Sequence, residues 1–224
     1  LESVSRALMF AGANHFAYGE DGRWEIIAAA NCTLISGSDY VLTDLLRGVA
    51  GTEWAMGLHV DGDRLIALDT DSLESLPIEI AALGQERLYR AVTFGLDVAT
   101  GLLREQTWRG VQFKPLAPCL LTGERDAGTG DWLLYWVRRT RMGSTWRDQV
   151  DADLGESAES YWVEIYQDGT YATLLRTIIS SAEFAAYSGA QQTADFGGNQ
   201  TTLYLRLYQY STVVGCGYPL TTEI

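Results

Sequence analysis

Apolar and polar residues alternate over short stretches along most of this chain, which is the pattern of half-buried β-strands. Clusters of Gly, Asp, Asn and Ser separate the stretches, and Asp-Gly pairs beginning at Asp21, Asp61 and Asp168 are typical of tight turns. Only residues 71–83 carry apolar side chains at helical spacing, and Pro77 interrupts them. The pattern predicts an all-β protein with at most one short, broken helical segment.

A change in composition at residues 114–118 predicts a domain boundary. Pro115 and Pro118 favour an extended, stiff connector between two folded parts. Residues 1–113 are then a β-rich N-terminal domain. Residues 114–224 contain roughly seven alternating stretches and no convincing helix, which is the pattern of a β-sandwich.

The most distinctive part of the chain is residues 40–54, which begin as a strand and then enter a turn. Two glycines permit backbone angles that other residues resist, and the preceding pair Leu45 and Leu46 is expected to anchor the turn in apolar packing. The predicted structural turn comprises Arg47, Gly48, Gly51 and Glu53. The first and last of these carry opposite charges and could pair across the turn, which would stabilise the fold.

Tryptophans are the candidates for ligand contact, because sugar rings stack on exposed aromatic faces. Trp24, Trp136 and Trp162 lie in strand patterns and are predicted to be core residues. Four others lie near turns or strand ends and are the candidate binding or interface aromatics: Trp54, Trp108, Trp132 and Trp146. Aromatic residues are also enriched where domains or subunits meet, so both roles are open for these four.

Catalytic chemistry is not indicated by any motif. His15 and His59 have no cysteine or carboxylate partner at metal-ligand spacing, and no Gly-x-Ser-x-Gly elbow is present. We therefore expect no enzyme activity, no metal site and no cofactor. The acidic segment 148–159 has the oxygen ligands that calcium needs, but a solvated loop facing Arg138, Arg139, Arg141 and Arg147 is favoured.

The net charge and the apolar pattern limit the kinds of partner that the chain can bind. The formal net charge is −13, which argues against direct nucleic-acid binding, since phosphate contacts need clustered positive charge. No apolar run approaches the length of a membrane helix, so stable membrane insertion is not expected. Three scattered cysteines are too few for a disulfide framework.

The second predicted domain carries features of a known sandwich. They are a proline-rich entry at Pro115 and Pro118, a tryptophan that ends the second strand (Trp136), the strand Tyr-x-Val-Glu-Ile at residues 161–165, and an alternating late strand around Tyr204. In their order and spacing these features resemble a fibronectin type III domain. The resemblance implies that Trp136 and Tyr204 pack in the core.

A second resemblance covers nearly the whole chain and is carried by four motifs. They are Gly-Arg-Trp-Glu at 22–25, Tyr-Val-Leu-Thr-Asp-Leu-Leu-Arg-Gly-Val-Ala-Gly-Thr-Glu at 40–53, Trp-Val-Arg-Arg-Thr-Arg at 136–141 and Gln-Gln-Thr-Ala-Asp-Phe-Gly at 191–197. With these motifs the chain resembles the C-terminal region of the large tail-tip protein of gene transfer agents and related siphophages. That protein has a TIM-barrel-like domain further upstream.

This second resemblance implies a virion component, a structural protein of the baseplate or hub region at the viral tail tip, with a part in tip assembly and host attachment. The implied partners are other tail-tip and hub proteins, with the chain assembled as a homotrimer about the tail axis. The implied location is the host cytoplasm during assembly and the virion tail tip afterwards. The alternative function is a β module that binds a host cell-surface glycan or protein through its loop aromatics.

Overall fold

The computed structural model describes residues 1–69, 73, 76–142 and 148–224. The fold is all-β, as predicted, with 40% of residues in strands and 12% in helices. The chain forms two compact units, Leu1–Leu76 and Pro77–Ile224. Segment 77–113 is part of the second unit, whereas the composition change placed the predicted boundary at 113/114, and that boundary stays a prediction. Within the described ranges no helix is long and apolar enough to cross a membrane.

The first unit is one antiparallel sheet with a short helix on one face. The helix α1 is Arg6–Phe10, and the strands are β1 (His15–Gly19), β2 (Glu25–Ser36), β3 (Asp39–Val49) and β4 (Arg64–Ala67). The strands lie in the order β3-β2-β1-β4. The Asp21-Gly22 turn joins β1 to β2, which confirms the hairpin predicted there.

Strand β2 is an inner strand of this sheet and has buried residues on both faces. On one side Met9 of α1 packs against Ala28 and Ala30, and on the other Phe16 packs with Ile27 and Ala29. Strand β2 runs continuously over 12 residues. The predicted leucine anchor is half right, because Leu46 packs against the α1 face whereas Leu45 is exposed.

The second unit begins with a two-stranded hairpin and continues as a β-sandwich. The hairpin is β5 (Glu86–Arg90) paired with β6 (Leu103–Thr107). The sandwich strands are β7 (Cys119–Arg125), β8 (Trp132–Val137), β9 (Tyr161–Tyr166), β10 (Leu174–Ser180), β11 (Phe184–Tyr187), β12 (Tyr204–Ser211), β13 (Gly215–Cys216) and β14 (Leu220–Glu223). One sheet has the order β11-β8-β7 and the other β10-β9-β12, with both β13 and β14 paired to β12.

Both units also contain short 3-10 turns, which are Glu53–Ala55, Ile80–Ala82, Val98–Thr100 and Val111–Phe113. The broken helical segment predicted over 71–83 falls partly on residues outside the described ranges. Its described part contains only the turn Ile80–Ala82.

The sandwich core lies between the two sheets, and it corrects one prediction. Trp136 is buried there together with Leu134 and Leu205, which confirms its predicted place. Tyr204 was predicted to join them, and this is wrong. Strand β12 alternates so that Leu205 points inward, whereas Tyr204 lies on the outer face with its ring edge-on to Tyr171.

A helix that the sequence analysis did not predict follows β11. Helix α2, Gly189–Phe196, begins with a capping box in which the side chains and backbone N–H groups of Ser188 and Gln191 bond reciprocally. It ends at Gly197, whose φ of +82° suits glycine. Gln192 ties the helix to the sandwich by donating to the Gly130 and Tyr187 carbonyls.

Candidate functional site

Glu25, the last residue of the 22–25 motif, is a fully buried carboxylate in the first unit. Its Oε1 accepts hydrogen bonds from Arg47 Nε at 2.7 Å and from the Gly48 backbone N–H at 2.8 Å. Its Oε2 accepts from Arg47 Nη2 at 2.6 Å and pairs with His59 Nε2 at 2.6 Å. Because an ionised carboxylate only accepts, His59 Nε2 carries the proton in this contact. All the strong acceptor positions of Glu25 are therefore occupied.

A bulge in β3 brings Arg47 and Gly48 onto this carboxylate. The register shifts between the pairs Ile26–Val49 and Ala28–Leu46, so two residues of β3 lie opposite one residue of β2. Gly48 takes a φ of +62° at the bulge. The bulge turns its backbone N–H and the neighbouring guanidinium towards the start of β2, where Glu25 stands.

Three further side chains extend the network beyond Glu25. His59 stacks on Tyr18 with ring centroids 4.1 Å apart, and its Nδ1 lies 3.4 Å from Asp63 Oδ2. Asp63 is held by two hydrogen bonds from the Arg23 guanidinium and by the backbone N–H of Val60. We call the six residues of this network the Glu25 lock: Arg23, Glu25, Arg47, Gly48, His59 and Asp63.

The lock shifts the ionisation of both its carboxyl groups. Burial raises the pKa of Glu25, but the hydrogen bonds from Arg47, His59 and Gly48 outweigh burial and lower that pKa from 4.5 to about 2. The hydrogen bonds from Arg23 lower the pKa of Asp63 to about 2. The bond to Glu25 raises the pKa of the Arg47 guanidinium. Glu25 and Asp63 are both charged at neutral pH.

These pKa shifts predict a loss of stability in acid. A folded-state pKa below the ordinary value means that the stabilisation is complete above about pH 4.5 and is lost as the pH falls towards about 2. We expect the melting temperature to fall over this window. Thermal unfolding followed by circular dichroism at several pH values measures the loss, and Glu25→Gln, which cannot titrate at this position, should show a shallower dependence. Identical pH profiles for the two proteins would contradict this assignment.

The arrangement is suited to holding backbone segments together. A general base needs a free lone pair near the proton that it removes, and Glu25 has none. His59 lies between Glu25 and Asp63, and its buried Nδ1 makes no hydrogen bond. The lock joins the start of β2, the end of β3 and the segment before β4, so it closes one end of the sheet.

The four predicted turn residues have different roles. Arg47 and Gly48 belong to the lock, and the carboxylate that Arg47 holds is Glu25, where the sequence had suggested Glu53. Gly51 is buried in the turn after β3 with a φ of +81°. Glu53 begins the 3-10 turn Glu53–Ala55 and packs against Gly48. Glu25 and His59 were not predicted as site residues, because in the sequence they are a carboxylate and a histidine in otherwise ordinary strand and turn patterns.

Gly48 offers a direct test of this packing. A Cβ added at Gly48 would lie 2.9 Å from the Cα of Glu53, whereas Gly37, which also has positive φ, has open space around it. Both Gly→Ala changes carry the left-handed backbone cost of about 1 kcal/mol. We expect Gly48→Ala to lower the unfolding free energy by about 2 kcal/mol more than Gly37→Ala does, because the bulge must move. Chemical denaturation measures both, and equal losses would show that the bulge has room.

The candidate aromatics that the structure describes have different surroundings. Trp132 is buried in the sandwich core and donates its Nε1–H to the Gln200 carbonyl. Trp108 is half-buried, bonds Gln112 and lies edge-on to Phe113. Trp54 is half-buried in the 3-10 turn after β3. Trp146 lies outside the described residues.

The acidic segment 148–159 has arginine partners, as predicted. Arg138 pairs with Asp151, and Arg141 Nη2 lies 3.0 Å from Glu156 Oε1. Arg147, also expected there, lies outside the described residues. In the part of the chain that the structure describes, no group of three or more His, Cys, Asp or Glu side chains is placed to hold a metal ion.

Comparison with known proteins gives one family match. The family model described as "Rcc01698-like, C-terminal" matches residues 1–66, the part that contains the whole Glu25 lock. No curated protein matches the chain. Among solved structures, the rat CD45 extracellular region, domains d3-d4, is similar over 94% of each chain with 11% identity and a TM-score of 0.35. At that TM-score the similarity carries no argument about this chain.

Proposed function

We propose that this chain is a structural component of the distal tail tip, in the baseplate or hub region, of a tailed phage or gene transfer agent. The proposal rests on one observation. Two of the sequence motifs that carry the tail-tip resemblance are hydrogen-bonded to each other in the structure. Residues 22–25 contribute Arg23 and Glu25, and residues 40–53 contribute Arg47 and Gly48. The most specific motif is therefore the part of the chain that locks the first unit.

The character of the lock supports an assembly role. Its carboxylates and guanidinium groups bond one another, so they fix the backbone geometry of the first unit. A rigid β scaffold suits a protein that must hold position in a large particle. The partners that follow are other tail-tip and hub proteins, copies of the chain itself in a trimer, and a host cell-surface glycan or protein during attachment.

Electron microscopy of purified particles tests the proposal. Gold-labelled antibody fragments raised against this chain should mark the distal tail end, and fragments against a major head protein provide the control. Particles from a strain carrying Glu25→Ala should lack the tip label or the tip itself. Label at the head, or particles that never contain the chain, would refute a tail-tip function.

The alternative function, glycan binding through loop tryptophans, receives less support from the structure. A stacking platform needs exposed ring faces, and Trp132 has none because it is a core residue. Trp54 and Trp108 are half-buried and lie in separate units. Adsorption of the whole chain to host cells that is abolished by Trp108→Ala would favour this alternative.

A further inference from the structure

His59 has a carboxylate oxygen facing each of its two ring nitrogens. Its Nε2 lies 2.6 Å from Glu25 Oε2, and its Nδ1 lies 3.4 Å from Asp63 Oδ2. The side chain is only 10% exposed, and Nδ1 is buried without a hydrogen-bond partner. A buried polar atom without a partner is rare in a folded protein. This one lies beside a charged group of the Glu25 lock.

A neutral imidazole cannot satisfy both contacts. It has one N–H and one lone pair. With the proton on Nε2, the lone pair of Nδ1 faces the Asp63 oxygen, and with the proton on Nδ1, the lone pair of Nε2 faces the Glu25 oxygen. Both carboxyl groups are ionised at neutral pH, because the pKa of each is about 2. Only a ring that carries both protons donates to both carboxylates.

Charged groups of both signs lie around the ring. The charged and titratable groups of this network are Glu25 of β2, Asp63 of the segment before β4, Arg47 of β3, Arg23 of the turn before β2 and Tyr18 of β1. The two carboxylates favour a positive ring, and the two guanidinium groups oppose it. The carboxylates are the direct contacts of the ring nitrogens, whereas each guanidinium contacts a carboxylate oxygen that a ring nitrogen faces. Coulomb energy falls with distance, so the direct contacts favour the second proton.

We propose that His59 is a pH-dependent link, which takes up a second proton at Nδ1 in mild acid and then joins Glu25 to Asp63. The pH range is that in which imidazole titrates, roughly pH 8 to 5. The proton comes from solvent and adds to the Nδ1 lone pair, while the Nε2–H bond to Glu25 is kept. Nδ1 thereby becomes a donor, and its contact with Asp63 should shorten to about 2.7–2.9 Å. This inference does not depend on the tail-tip function.

The link connects two strands that do not pair with each other. Glu25 begins β2 and Asp63 directly precedes β4, and β1 lies between these strands in the sheet. Only the folded chain can make this contact, so the second proton stabilises the first unit at mildly acidic pH, and the contribution is lost as the pH rises. The contributions of Glu25 and Asp63 have the opposite sign and are lost in stronger acid. The first unit should therefore be most stable near about pH 5.

Nitrogen NMR of the full chain tests the second proton directly. The chain has two histidines, His15 and His59, and the spectrum of His59→Gln assigns their ring signals. Ring-nitrogen shifts distinguish a ring with one proton from a ring with two. Between about pH 8 and pH 5, Nδ1 of His59 should gain a proton and keep it in contact with Asp63.

Hydrogen exchange resolved by peptide tests the effect on stability. After correction for the intrinsic exchange rate, the unfolding equilibrium constant of the first unit should be about threefold or more lower at pH 5.5 than at pH 8. His59→Gln keeps an amide that can donate to one carboxylate but cannot titrate, so it should lose this difference. His15→Gln removes the other histidine of the same unit and is the matched control. It should keep the difference.

Three results would overturn the proposal. They are a His59 ring that keeps a single proton down to about pH 5, a second proton that brings no gain in stability, and a gain that persists in His59→Gln or disappears in His15→Gln. The NMR measurement uses the unchanged chain, so it decides the first of these even where a variant fails to fold.

Discussion

Replacing Glu25 by alanine is expected to lower the unfolding free energy of the first unit by about 3–5 kcal/mol. The change removes the acceptor of both Arg47 hydrogen bonds and of the His59 contact. It leaves the Arg47 guanidinium and the Gly48 N–H without the partner that compensates for their desolvation. Hydrogen exchange resolved by peptide should show the loss in residues 1–69.

The control for this prediction is a second bidentate glutamate–arginine pair in the same unit. Glu20 accepts from Arg64 Nε at 2.8 Å and from Arg64 Nη2 at 2.7 Å, with the same geometry as the buried pair. Both side chains are solvent-exposed, and exposed ion pairs contribute little. Glu20→Ala should leave stability nearly unchanged. Equal losses for Glu20→Ala and Glu25→Ala would show that burial does not set the strength of the lock.

Glu25 also shows where sequence patterns fail. The residues Trp24-Glu25-Ile26 favour a buried tryptophan followed by an exposed glutamate. In the structure Glu25 is fully buried, whereas Trp24 is half-buried with the Arg64 guanidinium over its ring. Hydrophobicity scales penalise a buried carboxylate because they contain no term for its partners. The hydrogen bonds from Arg47 and His59 reverse that penalty, and a one-dimensional pattern cannot include them.

The second large effect is expected in the core of the sandwich. Leu134→Ala should lower the unfolding free energy of the second unit by about 3–5 kcal/mol, because Leu134 is fully buried between the two sheets and its loss leaves a cavity. Equilibrium unfolding in urea measures the change. An unchanged slope with a lower midpoint would indicate that only stability is affected.

The adjacent residue on the same strand gives a matched control. Leu133 has the same side chain but points to the opposite face of β8 and is 39% exposed. Leu133→Ala should cost less than about 1 kcal/mol, because surface substitutions rarely cost more. A loss for Leu133→Ala as large as that for Leu134→Ala would show that the outer face of β8 is also packed.

Much of the fold followed from local patterns. The all-β class, the Asp-Gly hairpins at Asp21 and Asp168 and the core position of Trp136 were predicted correctly. Errors arose where the alternating pattern had to decide which face of a strand points into the core. Trp162 was predicted to be a core residue and this is wrong, since it stacks on Tyr210 on the outer face. Both faces of β9 carry aromatic residues, Tyr161 on one and Trp162 on the other, so alternation alone does not say which face is inside.

The missed helix α2 has a different cause. Its eight residues are few and weakly apolar, so helical periodicity over this length carries little signal. The start and end signals were present, however, in the Ser188–Gln191 capping box and in Gly197. Capping chemistry would have identified this helix where hydrophobic periodicity did not.

The candidate site was predictable only in part. Arg47 and Gly48 were predicted as part of a turn that carries two glycines, and both belong to the lock. Their partner Glu25 depends on the register between β2 and β3 and on a bulge within it. Register is set by tertiary packing, so the sequence offered Glu53, which is nearer in the chain, as the partner.

The span of the Glu25 lock has a consequence for the lifetime of the folded state. Its contacts join residues 22 and 34 positions apart in the chain, and closing such loops costs entropy before any bond is gained. We expect these contacts to form after the folding barrier has been crossed, in which case their loss accelerates unfolding and leaves the folding rate nearly unchanged. In the proposed tail-tip function, the chain is not replaced by new synthesis once its particle has been assembled. The lock would then slow the unfolding of the first unit and lengthen the lifetime of its folded state, with little effect on how fast that state forms.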